Sequence, residues 1–154
     1  MKEMLRKDLI FLQKHFTENE EVIRFLCKHL LQTGFVKKKF CEAVLNRERK
    51  FPTGILLGEL NIAIPHADFN YVNKSAAALA TLANPVLFHR MDKPEESIPV
   101  HIVILIAISW SQRDRYVELL STFMRRMGDK TQISTIYSST SKERIIEIME
   151  GANA

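Results

Sequence analysis

The sequence predicts an α/β sandwich, a buried β-sheet between layers of helices, formed as a single domain over residues 1–154. The first observation is the run at 100–108, where nearly continuous branched side chains are typical of a strand buried on both faces. The second is that amphipathic helical patterns both precede and follow the strand-like stretches.

The N-terminal third predicts helices, apart from one ambiguous stretch. Residues 1–16 fit either an amphipathic helix or a buried strand. The capping box Thr17-Glu18-Asn19-Glu20 predicts that a helix begins at Thr17 and ends near Gly34. A second helix is expected over 36–47, and the turn Phe51-Pro52-Thr53-Gly54 ends it.

The middle of the chain predicts short strands. Strand segments are expected at 55–57, 62–64 and 86–88, and the alanine-rich stretch 75–82 fits either a strand or a helix. The pair Asn84-Pro85 predicts a turn between them.

Helices close the chain. Ser109 or Ser111 is expected to cap a helix whose apolar stripe runs from Tyr116 to Met127, and a helical turn at 132–136 and a helix at 142–149 follow.

Composition and charge exclude several classes of protein. Hydrophobic residues make up 46% and charged residues 26%, which is the balance of a globular protein. The longest apolar run, 102–108, is too short to span a bilayer. The net charge is +4, but only Lys37-Lys38-Lys39 forms a basic run, which favours a solvated helix face over nucleic-acid binding. Cys27 and Cys41 fit free core thiols of a cytoplasmic protein.

The stretch 58–68 carries the strongest chemical signal. Its Ile62-Ala63-Ile64 core predicts a short buried strand, and Pro65, which lacks an N–H, is expected to end it and turn the chain. His66 is thereby presented at a rigid strand end. A neutral imidazole is a nucleophile near physiological pH when one ring nitrogen is held by an acceptor. From the spacing alone, a structural histidine is slightly favoured over a catalytic one.

Three charged residues near His66 in sequence are candidates to support it. A phosphorylated His66 needs neighbouring positive charge, and Arg47 is a candidate, although an ordinary surface arginine is the stronger reading of the pattern. Glu59 and Asp68 flank the strand and fit either an imidazole-orienting role or turn and capping roles. The sequence has no glycine-rich phosphate loop, nucleophile elbow or zinc-ligand spacing, so we expect no nucleotide, metal or other cofactor.

At this point the residues match a family. The segment Gly58-Glu59-x-x-Ile62-Ala63-Ile64-Pro65-His66-Ala67 resembles the active-site signature of fructose/mannitol-type IIA domains of the bacterial phosphoenolpyruvate-dependent sugar phosphotransferase system. Further similarities are Arg47-Glu48, the segment Val86-x-Phe88-x-x-Met91, the long apolar strand and the two closing helices. The turn at 51–54 resembles most the galactitol-specific branch.

The resemblance implies a fold, a chemistry and partners. The fold is a mixed β-sheet flanked by helices on both faces. The phosphohistidine carrier HPr donates a phosphoryl group to His66, and His66 passes it to a cysteine of a IIB component that serves the IIC membrane permease. By the family pattern Arg47 steadies the phosphoryl group. Residues Phe69, Tyr71 and Trp110 are candidates for the surface that meets HPr and IIB.

One position departs from the resemblance. Some branches carry a second histidine at the start of the helix after the long strand, and Arg115 falls at about that place. An arginine offers charge to a phosphoryl group but is no general acid near neutral pH. Two further readings stay open: a regulatory, nitrogen-type IIA protein that signals by its phosphorylation state, and a non-catalytic interaction module in which His66 is structural.

Overall fold

The computed structural model describes residues 4–150, so the domain predicted over 1–154 extends past the described part at both ends. Within it, five strands form one sheet in the order β1-β4-β5-β3-β2. The strands are β1 (Leu5–Lys14), β2 (Gly54–Ile55), β3 (Ile62–Ala63), β4 (Ala76–His89) and β5 (Ser97–Ala107). The β1–β4 and β3–β5 pairs are parallel and the β2–β3 and β4–β5 pairs antiparallel, which confirms the mixed sheet.

Helices cover both faces of this sheet, as the sequence predicted. They are α1 (Asn19–Gln32), α2 (Phe40–Lys50), α3 (Tyr116–Met127), α4 (Lys130–Ser138) and α5 (Lys142–Glu150). Apolar side chains of α1 and α2 pack on one face, and those of α3, α4 and α5 on the other. Short 3₁₀-helices span Phe69–Tyr71 and Trp110–Arg115.

Strand β5 lies in the middle of the sheet and contributes to both cores. Val103, Leu105 and Ala107 face α1 and α2, whereas alternate residues of the same strand face α3, α4 and α5: Ile102, Ile104 and Ile106. This alternation explains why every position of the apolar run is branched or small.

The ambiguous N-terminal stretch is strand β1. Its adjacent apolar residues Leu9 and Ile10 are both fully buried, and they face opposite cores. A run without alternation is therefore compatible with a strand here, because helices cover both faces of the sheet.

Strand β4 combines two predicted segments. The predicted turn at Asn84-Pro85 is wrong, because the strand continues through these residues with a shift in its register against β5 between Thr81 and Val86. A proline is tolerated in a sheet at such an irregularity. The side-chain Nδ2 of Asn84 donates to the Phe16 carbonyl at 3.0 Å. This bond ties the irregular part of β4 to the segment between β1 and α1.

The first helix begins later than the capping box predicted. Its N-cap is Glu18, whose N–H donates to the Glu21 carboxylate at 3.2 Å, one position beyond the predicted Glu20. Glu20 is engaged elsewhere, since it pairs with Arg49 of α2 at 2.7 Å.

Two other predicted boundaries shift. Helix α2 begins at Phe40 rather than at residue 36, because Val36 forms a β-bridge with Val72. Only Ile55 of the predicted 55–57 strand lies in β2. The N–H groups of Leu57 and Gly58 donate instead to the Asn61 side chain, at 2.8 and 3.1 Å, and form a side-chain-closed turn.

Gly54 is a position where a side chain has no room, and we expect Gly54→Ala to destabilise the fold. A Cβ built there lies 2.5 Å from the backbone oxygen of His89. The start of β2 at Gly54 and the end of β4 at His89 would have to move apart to make room for the methyl group. We therefore expect the free energy of unfolding to fall by about 1–3 kcal/mol. Urea denaturation of the wild type and Gly54→Ala measures this. Gly128→Ala is the control, because its Cβ meets no atom closer than 3.3 Å. An equal or smaller loss for Gly54→Ala would contradict the packing argument.

Candidate active site

His66 lies beside β5, three residues after the end of β3. The pairing of Ile62 with Ile102 and of Ala63 with Val103 continues in register to a bridge between His66 and Ile106. Strand β3 ends before Pro65, as predicted, but the predicted turn of the chain at Pro65 is wrong. Proline removes a donor from the ladder, but its carbonyl still accepts from the Ile106 N–H at 3.0 Å. His66 is consequently held against the central strand, with 8% of its surface exposed.

Both ring nitrogens of His66 have a partner. Nδ1 lies 2.8 Å from the Ile64 carbonyl, which can only accept, so Nδ1 carries the proton. Nε2 therefore has its lone pair free to accept, and the Tyr116 hydroxyl donates to it at 2.8 Å. The hydrogen-bond network thus assigns the neutral tautomer whose reactive nitrogen is Nε2.

The surroundings of His66 keep its ring neutral. Burial lowers the pKa of His66 below its ordinary value, the Ile64 hydrogen bond opposes that shift, and the positive charge of Arg47 adds to the lowering. At neutral pH the imidazole is uncharged and Nε2 is a nucleophile.

Arg47 lies in the last turn of α2, with its side chain exposed. Its positive charge lowers the pKa of His66 and also acts on Tyr116. Burial raises the pKa of the Tyr116 phenol, and the charge of Arg47 opposes that rise. The Arg47 guanidinium lies over the Phe51 ring, 5.7 Å from the centroid, and within residues 4–150 it forms no ion pair. Its guanidinium is therefore not held by a carboxylate in an ion pair and can turn toward an anionic ligand.

A buried carboxylate joins the end of α2 to the His66 segment. The two Glu48 oxygens accept from the Thr53 N–H and hydroxyl, each at 2.8 Å. The Thr53 carbonyl in turn accepts from the Ile64 N–H at 3.4 Å. Burial raises the pKa of Glu48, whereas the two Thr53 hydrogen bonds lower it. The turn between Arg47 and His66 is thereby fixed by polar contacts inside the protein.

The structure separates Glu59 from His66. Glu59 is exposed and lines a groove of about 410 Å³ with Met127 and Lys130. The contacts between β3 and β5 begin at Asn61, and Glu59 lies before that point. His66 lies after the last paired residue of β3, at the opposite end of these contacts. The imidazole is held by the Ile64 carbonyl and the Tyr116 hydroxyl instead.

Asp68 and Arg115 both lie at the N-terminal end of a helix, and within residues 4–150 neither forms a hydrogen bond with the imidazole. The Asp68 carboxylate accepts from the Asn70 N–H at 3.1 Å and caps the 3₁₀-helix Phe69–Tyr71, which is the loop-holding alternative. Arg115 is the exposed N-cap residue of α3. Neighbouring residues of a helix point about 100° apart, so it is Tyr116, and not Arg115, that reaches the imidazole.

Tyr116 is the site residue that sequence reasoning missed. As the first apolar position of α3 it matched a core stripe, and that pattern gives no sign of a contact with a residue 50 positions away. The ring of Phe69 meets the Tyr116 ring edge-on at 5.3 Å and places it over the histidine. The other strand histidine, His101, accepts the Asn61 N–H at Nδ1 (3.2 Å), which is a structural role.

Two features of residues 4–150 bear on the kind of site. No group of three or more histidine, cysteine, aspartate or glutamate side chains is arranged there to hold a metal ion. None of the helices in this part of the chain has the length and apolar character needed to cross a bilayer.

With this geometry in place, comparison with known proteins identifies the family. Residues 3–152 match the family model described as phosphoenolpyruvate-dependent sugar phosphotransferase system, EIIA 2. The chain belongs to this family. The match spans nearly all of the sequence and confirms the resemblance inferred from the segment around His66.

Several curated EIIA-containing proteins are similar to this chain. It is 32% identical over 121 residues to the galactitol-specific EIIA component of Escherichia coli O6:H1, an alignment that covers 79% of each protein. It is 30% identical over 150 residues to the 2-O-alpha-mannosyl-D-glycerate-specific EIIABC component of Escherichia coli K12, covering 96% of this chain and 22% of that protein. The chain thus spans about a fifth of the length of the first curated relatives it matches.

Solved EIIA structures share the fold. The crystal structure of IIA mannitol from Escherichia coli has a TM-score of 0.77 at 25% identity and covers 94% of this chain and 98% of that one. The complex of enzyme IIAMTL and phosphorylated enzyme IIBMTL from the same organism gives a TM-score of 0.79 at 23% identity, over 96% of this chain and 97% of that one.

The lowered pKa of His66 predicts a pH dependence of stability. The unfolded chain binds a proton to this histidine more readily than the folded protein does. The contribution of neutral His66 to the free energy of unfolding is therefore complete above its ordinary pKa of about 6.5. It is lost as the pH falls through the lower pKa of the folded protein. We expect the free energy of unfolding to fall more steeply between pH 7 and 5 in the wild type than in His66→Gln. Urea denaturation at several pH values measures both slopes. His29 and His101 also have lowered pKa values, but they are common to both proteins and cancel. Equal slopes would contradict the burial argument.

Proposed function

We propose that this EIIA-family chain is a phosphocarrier of sugar or polyol uptake, which accepts a phosphoryl group on Nε2 of His66 and passes it on. The observation that carries the proposal is the state of His66. Its ring is buried and neutral, its Nδ1 proton is engaged by the Ile64 carbonyl, and Nε2 alone has a lone pair for attack. Phospho-HPr is the proposed donor, and a cysteine of a IIB component the acceptor.

Family relatives support transport over the regulatory alternative. The relatives at 26–32% identity include proteins named as mannitol-, galactitol- or mannosyl-glycerate-specific components. A nitrogen regulatory IIA protein from Neisseria meningitidis is 19% identical, and that likeness supports the fold alone. The names EIIABC and EIICBA join three components in one protein, so B and C components are the partners we propose, on this chain or on others. The galactitol-like turn at 51–54 makes a polyol the first substrate to test.

The chemistry of transfer needs little beyond positioning and charge. The Nε2 lone pair forms a bond to phosphorus while the P–N bond to the donor histidine breaks, and that electron pair returns to the donor ring. The Nδ1 proton stays on His66, where the Ile64 carbonyl stabilises the positive charge that the ring acquires. Arg47 is the proposed partner of the phosphoryl oxygens, because its guanidinium is not held by a carboxylate in an ion pair in the described chain.

The proposed docking surface lies around the site. Trp110, at the start of the 3₁₀-helix before Tyr116, is 54% exposed, and Val117, directly after Tyr116, is 72% exposed. Phe69 and Tyr71 are half-buried on the adjacent 3₁₀-helix. Exposed aromatic and aliphatic groups of this kind are common in interfaces that form and release.

A labelling experiment tests the function. The protein is incubated with phosphoenolpyruvate, enzyme I and HPr, and an acid-labile, base-stable phosphoryl label is sought. We expect the wild type and the His29→Gln control to take up label, because His29 packs on Phe11 and Phe25 away from the site. We expect His66→Gln to take up none. An unlabelled wild type, or a labelled His66→Gln, would refute the proposal. Transfer onward to purified IIB components identifies the substrate.

Arg47 is expected to govern the rate of labelling. Removal of one donor of charge stabilisation typically slows a reaction about 100-fold, so Arg47→Ala should label roughly 10- to 100-fold more slowly than the wild type. Arg49→Ala is the matched control, since Arg49 lies two residues further along α2 and pairs with Glu20 instead. Single-turnover transfer from phospho-HPr measures the rates. Equal slowing of both variants would assign the effect to general surface charge and remove Arg47 from the site.

A further inference from the structure

The Tyr116 hydroxyl occupies the position that an incoming phosphorus atom needs. It lies 2.8 Å from Nε2, on the lone pair that would form the new bond. A reacting phosphorus has to come to about 3–3.5 Å from the attacking atom along that direction. The hydroxyl and the phosphoryl group cannot both be there, so Tyr116 has to move before His66 reacts.

The position of Tyr116 in the fold suits a residue that moves. It is the first residue of α3, immediately after the 3₁₀-helix Trp110–Arg115, so it lies at a helix end and not inside a helix. Its side chain is half-buried: the ring packs against the core on the α3 face of the sheet, and the rings of His66 and Phe69 lie 5.9 and 5.3 Å from it. Within the described part of the chain the hydroxyl bonds only to Nε2, so no second bond has to break when it leaves.

From this geometry we infer that Tyr116 is a second catalytic residue of the phosphocarrier: its hydroxyl covers Nε2 in the free protein and donates to a phosphoryl oxygen once His66 is phosphorylated. The inference rests on the proposed function of His66. The hydroxyl exchanges one acceptor for another and keeps its proton throughout, so the bonds to phosphorus break and form as described above.

The exchange favours the phosphorylated state. A hydrogen bond to a charged oxygen is roughly twice as strong as one to a neutral acceptor such as Nε2. The phenol remains a donor because burial raises its pKa, although the charge of Arg47 opposes this. Tyr116 therefore stabilises phosphorylated His66 more than it stabilises free His66.

Tyr116→Phe tests this inference, because it removes one oxygen and keeps the ring that Phe69 contacts. Each protein is equilibrated with a fixed ratio of phospho-HPr to HPr, and the phosphorylated fraction is read by ³¹P NMR. We expect the equilibrium constant for phosphorylation to fall about three- to tenfold in Tyr116→Phe. Tyr137→Phe is the matched control. Its hydroxyl donates to the Leu82 carbonyl at 2.8 Å, and its ring contacts His101 in the middle of β5, whereas His66 lies beside Ile106, so we expect the wild-type value.

The outcomes separate this inference from the proposed function. Labelled wild type with an unchanged equilibrium constant in Tyr116→Phe would overturn the role of Tyr116 and leave the phosphocarrier function standing. A wild type that takes up no phosphoryl group would overturn both. An equal fall in Tyr116→Phe and Tyr137→Phe would indicate a general loss of structure and overturn the inference.

A second measurement compares the unphosphorylated wild type with unphosphorylated Tyr116→Phe. Long-range ¹H–¹⁵N NMR of the histidine ring in the unphosphorylated protein reports the proton on Nδ1 and the hydrogen bond accepted by Nε2. We expect the Nε2 resonance to move toward that of a free pyridine-type nitrogen in Tyr116→Phe, with Nδ1 unchanged. A wild-type Nε2 resonance already at the free value would show that the hydroxyl does not cover it, and would overturn the inference.

Discussion

The hydrogen bond between Nδ1 of His66 and the Ile64 carbonyl is the constraint on which the site depends. It fixes which nitrogen is protonated, and so which nitrogen can react. The carbonyl is itself held in place, because the N–H of the same residue donates to Thr53, and Thr53 is bound through two hydrogen bonds to the buried carboxylate of Glu48. The orientation of the imidazole therefore follows from backbone geometry between α2 and β3. Such an arrangement is stiffer than one made of long side chains, and a phosphoryl acceptor has to hold its geometry through two transfers.

The electrostatics of the site suit the phosphorylated state better than a protonated histidine. Burial and the nearby Arg47 both disfavour an imidazolium, so a proton does not compete for Nε2 at neutral pH. The same Arg47 charge favours an anion, and a phosphoryl group brings negative charge with it. Because Arg47 is exposed, water solvates its charge while the site is free. The folded protein can therefore keep this positive charge beside His66 without the desolvation cost of a buried charge.

The sequence predicted most of what hydrophobic patterns and proline chemistry control. It identified β5 and the helices on both faces, because burial on two faces leaves a continuous apolar run, and the motif around His66 pointed to the family. It misjudged the turns at Pro65 and Pro85: the chain runs on beside β5 after Pro65, and Pro85 lies within β4, because a sequence shows that proline lacks a donor but not whether the neighbouring strand needed one. It missed Tyr116 for a similar reason: the contact with His66 joins two segments that only the completed sheet and α3 bring together.

The position of Tyr116 also bears on how a buried histidine could meet the two protein partners proposed for it. His66 is 8% exposed, whereas Trp110 is 54% exposed and lies at the start of the short 3₁₀-helix that leads directly into Tyr116. Arg113 stacks on the Trp110 ring at 4.2 Å and donates to the Trp110 carbonyl at 2.8 Å, so contacts within the short helix hold its two ends together. A partner that binds the proposed docking surface at Trp110 would therefore contact the segment that leads directly into Tyr116. Such contact gives binding energy a route to displace the hydroxyl from Nε2, because a partner that binds only the uncovered state shifts the population toward it.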